Sequence, residues 1–134
     1  MAKANLAKQL TVETENKVGV LAELTGAIAD AGVNITAICA YAMENKAIFM
    51  LISSDNNKAK GVLAQKGYKV AEDEVVTVML EDKVGQGKEI GDKIKAAGIS
   101  LDFLYGTTSG RADAPALMVI GSKENAKVIS TINR

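Results

Sequence analysis

The hydrophobic and polar residues of the chain follow an order that predicts alternating strands and helices. Leu6–Thr14 is rich in Leu, Thr and Val, which is typical of a strand. Over Gly19–Ala31, apolar residues recur at the spacing of one helical face, and Gly32 follows where a left-handed helix end favours glycine. Two strands, a second helix and a fourth strand are predicted next, at Val33–Met43, Ala47–Ser53, about 55–67 and Tyr68–Glu72.

The second half of the chain repeats the first. A shift of 66 residues places 11–35 on 77–101 without a gap. From the third strand onward we predict a shift of 68, which places Met50 on Met118 and leaves two extra residues in the loop 106–115. The copy then has strands at 75–80, 99–105 and 116–121, a first helix that Gly98 ends, and a last helix from Ser122.

The repeated order of strand, helix, two strands, helix and strand predicts the fold class. With short connections it gives an α+β fold of two ferredoxin-like βαββαβ units, each an antiparallel sheet with its helices on one face. We predict domains at residues 1–72 and 73–134, of which the second lacks its own last strand. Only Asp73 and Glu74 separate the two copies, so we expect one long bent strand there.

The third strand of each copy also predicts a partner. Residues 47–52 and 116–120 are apolar at every position, whereas a sheet with one solvated face should alternate. The missing last strand would in addition leave an open sheet edge. Both features predict a homodimer or a larger assembly, in which the outer sheet faces pack against another sheet.

Composition excludes several classes of function. The chain has 134 residues with a formal net charge of zero, so it lacks the basic excess of a nucleic-acid-binding protein. It has no histidine and one cysteine, which excludes structural zinc sites and Ser-His or Cys-His nucleophiles. We therefore expect no catalytic residues, no metal and no cofactor. The lone cysteine and the absence of an apolar run near ~18 residues predict a cytoplasmic protein without membrane contact.

Two further interpretations concern single residues. Cys39 falls on an alternating apolar face with Val33 and Ile35, so we predict that it is a core residue. The same strand order also serves RNA recognition, which needs aromatic residues on the middle strands. Phe49 is the only aromatic residue on the third strands, so this function is disfavoured.

The turn from the first strand into the first helix is the candidate binding site. Asn16 and Gly19 recur as Asp82 and Gly85. The start of a helix offers unpaired N–H groups to a carboxylate, and glycine lets a ligand approach the backbone. The side-chain oxygen of Asn16 or Asp82 could accept from an ammonium group, so an α-amino acid fits. The alternative is that Asn16 and Asp82 are only helix N-caps.

These turns resemble the ACT-domain family. Its motif is Asp-x-Pro-Gly-hydrophobic-Leu, a helix, and then Gly-hydrophobic-Asn-Ile. Here residues 16–21 and 32–35 match it, and the likeness extends over both copies, as in stand-alone tandem-ACT proteins. Asn16 replaces the Asp of the motif in the first copy, and Val18 and Val84 replace the Pro. The second copy departs further, with Gln86, Gly87 and Ser100-Leu101 in place of the motif residues.

The resemblance implies two ligand sites between paired domains, in which the glycine turn of one faces the strand start of the other. The implied ligand-binding residues are Asn16, Lys17, Val18, Gly19, Val20 and Leu21 opposite Ser100 and Leu101, and Asp82, Val84, Gly85, Gln86 and Gly87 opposite Asn34 and Ile35. The implied function is regulation of a separate metabolic enzyme or transport system by a bound amino acid or similar small ligand. The alternative is an assembly subunit of an amino-acid metabolic enzyme that has lost ligand binding.

Overall fold

A computed structural model describes residues 2–111 and 113–134. The described part of the chain forms six strands and four helices. In chain order they are β1 (Lys3–Glu15), α1 (Val20–Asp30), β2 (Ile35–Met43), β3 (Lys46–Ser53), α2 (Asn56–Gln65), β4 (Lys69–Leu80), α3 (Gln86–Ala96), β5 (Phe103–Thr107), β6 (Ala116–Gly121) and α4 (Asn125–Ile132).

These elements form two compact units. The contiguous unit is Lys8–Asp73, and the composite unit joins the chain up to Ala7 to Glu74–Arg134. The strands are ordered β2-β3-β1-β4 in the contiguous unit and β1-β4-β6-β5 in the composite unit, because β1 and β4 each contribute to both. The β2–β3, β1–β3, β4–β6 and β5–β6 pairs are antiparallel. The predicted fold class, two ferredoxin-like α+β units, is confirmed.

The first residues of the chain belong to the composite unit, although we predicted domains at 1–72 and 73–134. No strand follows α4 among the described residues, and the first part of β1 lies beside β4 in that position. Ala4 is buried in the same core as Val76 and Ile132. Its N–H donates to Asn133 Oδ1 at 2.8 Å, and its carbonyl accepts from Asn133 Nδ2 at 3.0 Å. The sheet edge that we expected to be open is therefore occupied.

Each unit has one apolar core between its sheet and its two helices. In the contiguous unit, Leu10 and Val12 of β1 alternate inward and contact residues of both helices, such as Ile28 and Leu63. Asp55 caps α2, because its side chain accepts from the Lys58 N–H at 3.1 Å. The composite core is built in the same way from inward residues of β4 and β6 and from Ile90, Ile94, Val128 and Ile132.

The register of the third strands corrects the predicted shift of 68. Leu10 pairs with Leu51 in the contiguous unit, and Val76 pairs with Ile120 in the composite unit. The first strands are thus related by 66 residues and the third strands by 69, which leaves three extra residues in the loop after β5. A slip of one residue exchanges the two faces of a strand. Met50 therefore lies on the outer face, whereas Met118 packs against the core.

A second correction concerns Cys39. The pairing of β2 with β3 is irregular between Ile35 and Ala37, which places one extra residue in β2. Ile35 consequently packs against the core, while Cys39 pairs with Met50 on the outer face and is half-buried. The prediction that Cys39 is a core residue is wrong, because the bulge reverses the alternation of the strand.

The outer faces are mainly apolar along the paired strands β2–β3 and β5–β6, as the sequence predicts. In the contiguous unit this face includes Tyr41, Ile48 and Ile52, and Tyr41 is 45% exposed. In the composite unit, Met79 is 41% exposed, and the rings of Phe103 and Tyr105 stack with centroids 6.3 Å apart.

Candidate functional site

Both glycine turns (Asn16–Gly19 and Asp82–Gly85) have the same backbone conformation. Gly19 and Gly85 are the N-caps of α1 and α3, with φ of 95° and 92°. This left-handed region favours glycine, because a Cβ there clashes with the backbone. A Cβ on either residue would meet no atom within 4 Å, so conformation and not packing requires the glycine. The space outside each turn is open to a ligand.

Neither Asn16 nor Asp82 caps the helix that follows. No side-chain hydrogen bond caps α1 or α3. The N–H of Asn16 donates to Asn45 O at 2.8 Å, and an Asp82 carboxylate oxygen accepts from the Thr108 hydroxyl. The alternative interpretation of these residues as helix caps is therefore wrong. No side chain of either turn accepts a hydrogen bond from the first-turn N–H groups of the helix that follows.

The residues of the turns differ in exposure. Val18 and Val84, at the position of the motif proline, are fully exposed, at 104% and 102% of the reference area. Leu21 is also exposed, whereas Val20 is buried in the contiguous core. An exposed apolar side chain at the same place in both copies marks each turn as a surface that another molecule could cover.

The strand starts Asn34–Ile35 and Ser100–Leu101 do not meet the glycine turn of their own unit. Asn34 and Ser54 exchange hydrogen bonds, with Asn34 N–H on Ser54 Oγ at 2.9 Å and Ser54 N–H on Asn34 O at 2.8 Å. Ser54 follows β3, whereas Asn45, which accepts from the Asn16 N–H, precedes it. The strand between them spans roughly 26 Å, so Asn34 lies far from the glycine turn of its own unit. In the composite unit, Ser122 Oγ donates to Ser100 O at 2.8 Å, again at the far end of the sheet.

A polar cleft of about 370 Å³ adjoins the turn of the contiguous unit. Lys17, Lys66 and Glu23 line it, and Tyr68 OH donates to Glu23 Oε1 at 2.8 Å. Burial, and then the hydrogen bond and the charge of Glu23, raise the pKa of Tyr68. Sequence reasoning missed this pair, since Glu23 and Tyr68 are 45 residues apart and nothing in either segment signals the contact.

Two cavities adjoin the turn of the composite unit. One has a volume of about 470 Å³ and lies beside Lys3, Asp82 and Lys83. The other, of about 360 Å³, lies between the first turn of α3 and the sheet. Of the predicted residues, Asp82, Gln86 and Gly87 line the second cavity together. Thr107, Thr108 and Met118, which are not among the predicted site residues, also line it.

Comparison with known proteins agrees with this architecture. The sequence profile of the ACT domain pair family matches residues 6–131, nearly the whole chain. The chain belongs to the ACT domain pair family. The resemblance stated from the glycine turns is thereby confirmed. No curated protein matches this ACT domain pair closely enough to count as a relative.

Solved structures share the fold of this ACT domain pair. A protein from Bacteroides thetaiotaomicron is 27% identical with a TM-score of 0.88, and the match covers 97% of this chain and 88% of that one. The ligand-free regulatory subunit of aspartate kinase from Thermus thermophilus is 12% identical with a TM-score of 0.67, covering 97% and 94%. The corresponding subunit from Thermus flavus is 13% identical with a TM-score of 0.61, covering 98% and 94%.

The described parts of the ACT domain pair, residues 2–111 and 113–134, lack two other kinds of feature. They contain no group of three or more His, Cys, Asp or Glu side chains that could hold a metal ion. None of the helices within these ranges is long and apolar enough to cross a membrane.

Proposed function

We propose that this ACT domain pair is a regulatory protein without catalytic activity that binds an amino acid or similar small ligand. The observation that carries the proposal is the conformation of the two glycine turns. In each, a left-handed glycine begins a helix whose first N–H groups have no side-chain cap. A ligand carboxylate would accept hydrogen bonds from those N–H groups, and the side-chain oxygen of Asn16 or Asp82 would bind the ligand's ammonium group.

The regulated partner would be a separate metabolic enzyme or transport system. This part of the proposal is supported by solved structures of similar fold that are regulatory subunits of aspartate kinase. That each glycine turn faces the strand start of another ACT domain, at Asn34–Ile35 or Ser100–Leu101, stays a prediction, as does a cytoplasmic location.

Homodimer formation is part of the same proposal. An open sheet edge in the composite unit does not support a homodimer, because the first part of β1 occupies the edge beside β4. The exposed apolar outer faces still do, and Tyr41 and Met79 are examples. Light scattering at high micromolar concentration should find a mass above the 14.0 kDa of one chain, and finding only single chains would count against a dimer.

The same faces favour a second candidate, an assembly subunit of an amino-acid metabolic enzyme that binds no ligand. A thermal-shift screen of the twenty amino acids separates the two functions. A ligand-binding protein should gain stability with one or a few amino acids, since a ligand that binds only the folded state raises its free energy of unfolding. An assembly subunit should respond to none.

Calorimetry on turn variants tests the site. A helix N-terminus favours an anion by about 0.3–1 kcal/mol, and hydrogen bonds to charged groups contribute about 1.5–3 kcal/mol each. Gly19→Val should abolish binding at this turn, because a branched side chain both blocks the approach and opposes the left-handed φ. Asn16→Ala should weaken binding about tenfold, the equivalent of 1.4 kcal/mol.

A matched control separates site loss from backbone strain. Gly110 also has a left-handed φ, of 77°, with open space around it, and lies outside the predicted site. Gly110→Val should therefore carry similar strain and leave binding at the Gly19 turn unchanged. If a folded Gly19→Val variant and a folded Gly85→Val variant both bind with unchanged affinity, the glycine turns are not the site.

A further inference from the structure

We propose that the turn of the composite unit binds an α-amino acid with an apolar side chain, and that this side chain enters the cavity of about 360 Å³ beside α3. This inference rests on the proposed function. It adds the class of ligand and says that the composite turn, and not the contiguous one, binds it. The volume lies within the range of about 300–1,000 Å³ that is usual for small-molecule sites.

The cavity lies on the helix side of the composite sheet. Its floor is formed by Leu104 and Gly106 of β5 and Met118 of β6, and its roof by Gln86 and Gly87 of α3. A side chain in place of Gly106 would crowd this floor, because a Cβ there would lie 3.1 Å from Met118 Cγ and from Leu117 O. Gly87 leaves the roof open, since its nearest neighbour would be the Met118 methyl, at 4.0 Å from a Cβ.

The other unit carries larger apolar side chains at the corresponding positions. By the register of the two sheets, Phe49 is the counterpart of Met118, and the turn alignment makes Val20 and Leu21 the counterparts of Gln86 and Gly87. Phe49 and Val20 are both buried, each 5% exposed, in the contiguous core. The composite unit replaces them with a half-buried methionine and a half-buried glutamine, and it replaces Leu21 with a residue that has no side chain. These replacements reduce the apolar side-chain volume beside the composite turn, where the cavity lies.

The chemistry of the lining selects the ligand. Leu104, Gly106, Met118 and Gly87 form an apolar surface inside the cavity. The charged lining residues Glu81, Asp82 and Lys83 all belong to the segment that leads into α3, at the solvent-exposed mouth. Glu81 and Lys83 form an ion pair at 3.2 Å, and Asp82 accepts a hydrogen bond from Thr108. An ammonium group at the mouth would face the Asp82 carboxylate. A charged side chain inside would lose its water without gaining a partner, which disfavours acidic and basic amino acids.

Calorimetry with four probes tests the class of ligand. L-Leucine and L-methionine should bind the native chain at least tenfold more tightly than L-aspartate and L-lysine. Titration of L-leucine should also shift the methyl resonance of Met118, because this methionine lines the cavity. Tightest binding by L-aspartate or L-lysine would overturn the proposal, and so would an unchanged Met118 resonance at saturation.

Two variants that copy the other unit test the place. Gly87→Leu and Met118→Phe introduce the residues found at 21 and 49, and either should reduce L-leucine affinity at least tenfold by filling the cavity. Gly87→Leu should not unfold the chain, since leucine favours a helix more than glycine does. Gly91→Leu is the matched control, because Gly91 lies on the same helix, is exposed and has open space around it. It should bind L-leucine within twofold of the native chain.

The outcomes separate this inference from the proposed function. Unchanged L-leucine affinity in folded Gly87→Leu, with binding lost in Gly19→Val, would overturn the inference and leave the proposed function standing. Equal loss in Gly87→Leu and Gly91→Leu would also overturn it, because the effect would not come from the cavity. If the native chain binds none of the twenty amino acids, both the inference and the proposed function fail.

Discussion

Asn133 should determine how firmly the first residues of the chain are held. Its side-chain amide accepts a hydrogen bond from the Ala4 N–H at 2.8 Å and donates one to the Ala4 carbonyl at 3.0 Å. Ala4 itself is only 2% exposed. Asn133→Ala removes both hydrogen bonds and leaves two buried backbone groups without these partners. The first part of β1 should then separate from the composite unit more often.

The magnitude follows from the two bonds. A typical hydrogen bond contributes about 0.5–1.5 kcal/mol, so the pair contributes about 1–3 kcal/mol. Asn133 lies at an exposed helix end, where water competes for its amide, which favours the lower half of that range. We expect Asn133→Ala to lower the free energy of unfolding by about 1–2 kcal/mol. Urea unfolding followed by circular dichroism measures this loss, and hydrogen exchange of the Ala4 amide should accelerate about 5–30-fold.

A nearly isosteric variant gives the sharper test. Asn133→Asp keeps an acceptor for the Ala4 N–H but replaces the donor with a carboxylate oxygen facing the Ala4 carbonyl. The folded state should raise the pKa of this carboxyl, since only the protonated form can donate. Its stabilising contribution is then present below the ordinary pKa of about 3.9 and is lost as the pH rises through the raised value. The loss in free energy of unfolding of Asn133→Asp relative to the native chain should be largest at pH 7 and should become smaller toward pH 4.

The control for the added charge is Ser130→Asp. Ser130 is exposed in the last turn of the same helix, so it places a carboxylate near the same helix end without touching Ala4. If Asn133→Asp and Ser130→Asp lose the same stability with the same pH dependence, the effect comes from the helix end. The bonds to Ala4 would then carry no measurable energy, which would refute the reasoning.

Three further predictions concern single side chains. Gly121→Ala should cost about 1–3 kcal/mol in urea unfolding, because its Cβ would lie 2.3 Å from the Phe103 ring, and Phe103→Ala in the same chain should remove that extra cost. Thr131→Val should raise the free energy of unfolding by about 1 kcal/mol, because the buried Thr131 hydroxyl has no partner among the described residues; Thr25→Val, which loses a bond to Leu21 O, should not. Ultraviolet titration should show Tyr68 ionising above its usual pKa of 10.0. Its contribution to stability is then present below pH 10 and is lost as the pH rises through the raised pKa. A native protein whose tyrosines show no such late ionisation would contradict this prediction.

The two-unit fold could be predicted from the sequence because the glycines mark the same places in both copies. Gly19 and Gly85 both begin a helix in the left-handed conformation, and Gly32 and Gly98 both follow one, also with positive φ. These positions tolerate few other residues, so they align the copies without ambiguity. The candidate turns were identified for the same reason.

The register of the third strands could not be predicted in this way. Residues 47–52 and 116–120 are apolar at every position, so a slip of one residue leaves the hydrophobic pattern unchanged. The position of Cys39 failed because one bulge reverses the alternation of its strand. Contacts between distant segments, such as Tyr68 with Glu23 and Thr108 with Asp82, leave no local signal in the sequence.

The division of β1 and β4 between the units has a consequence for synthesis. All residues of the contiguous unit have been translated once Asp73 is made, but the composite core also needs α4, which ends at Ile132. At about 5–20 residues per second, the first part of β1 waits roughly 3–12 s until all elements of the composite core have been made. During that interval a chaperone or another nascent chain could capture the unpaired segment. A bulky tag fused ahead of Lys3 would act at this step, and should reduce the yield of folded protein more than the same tag placed after Arg134.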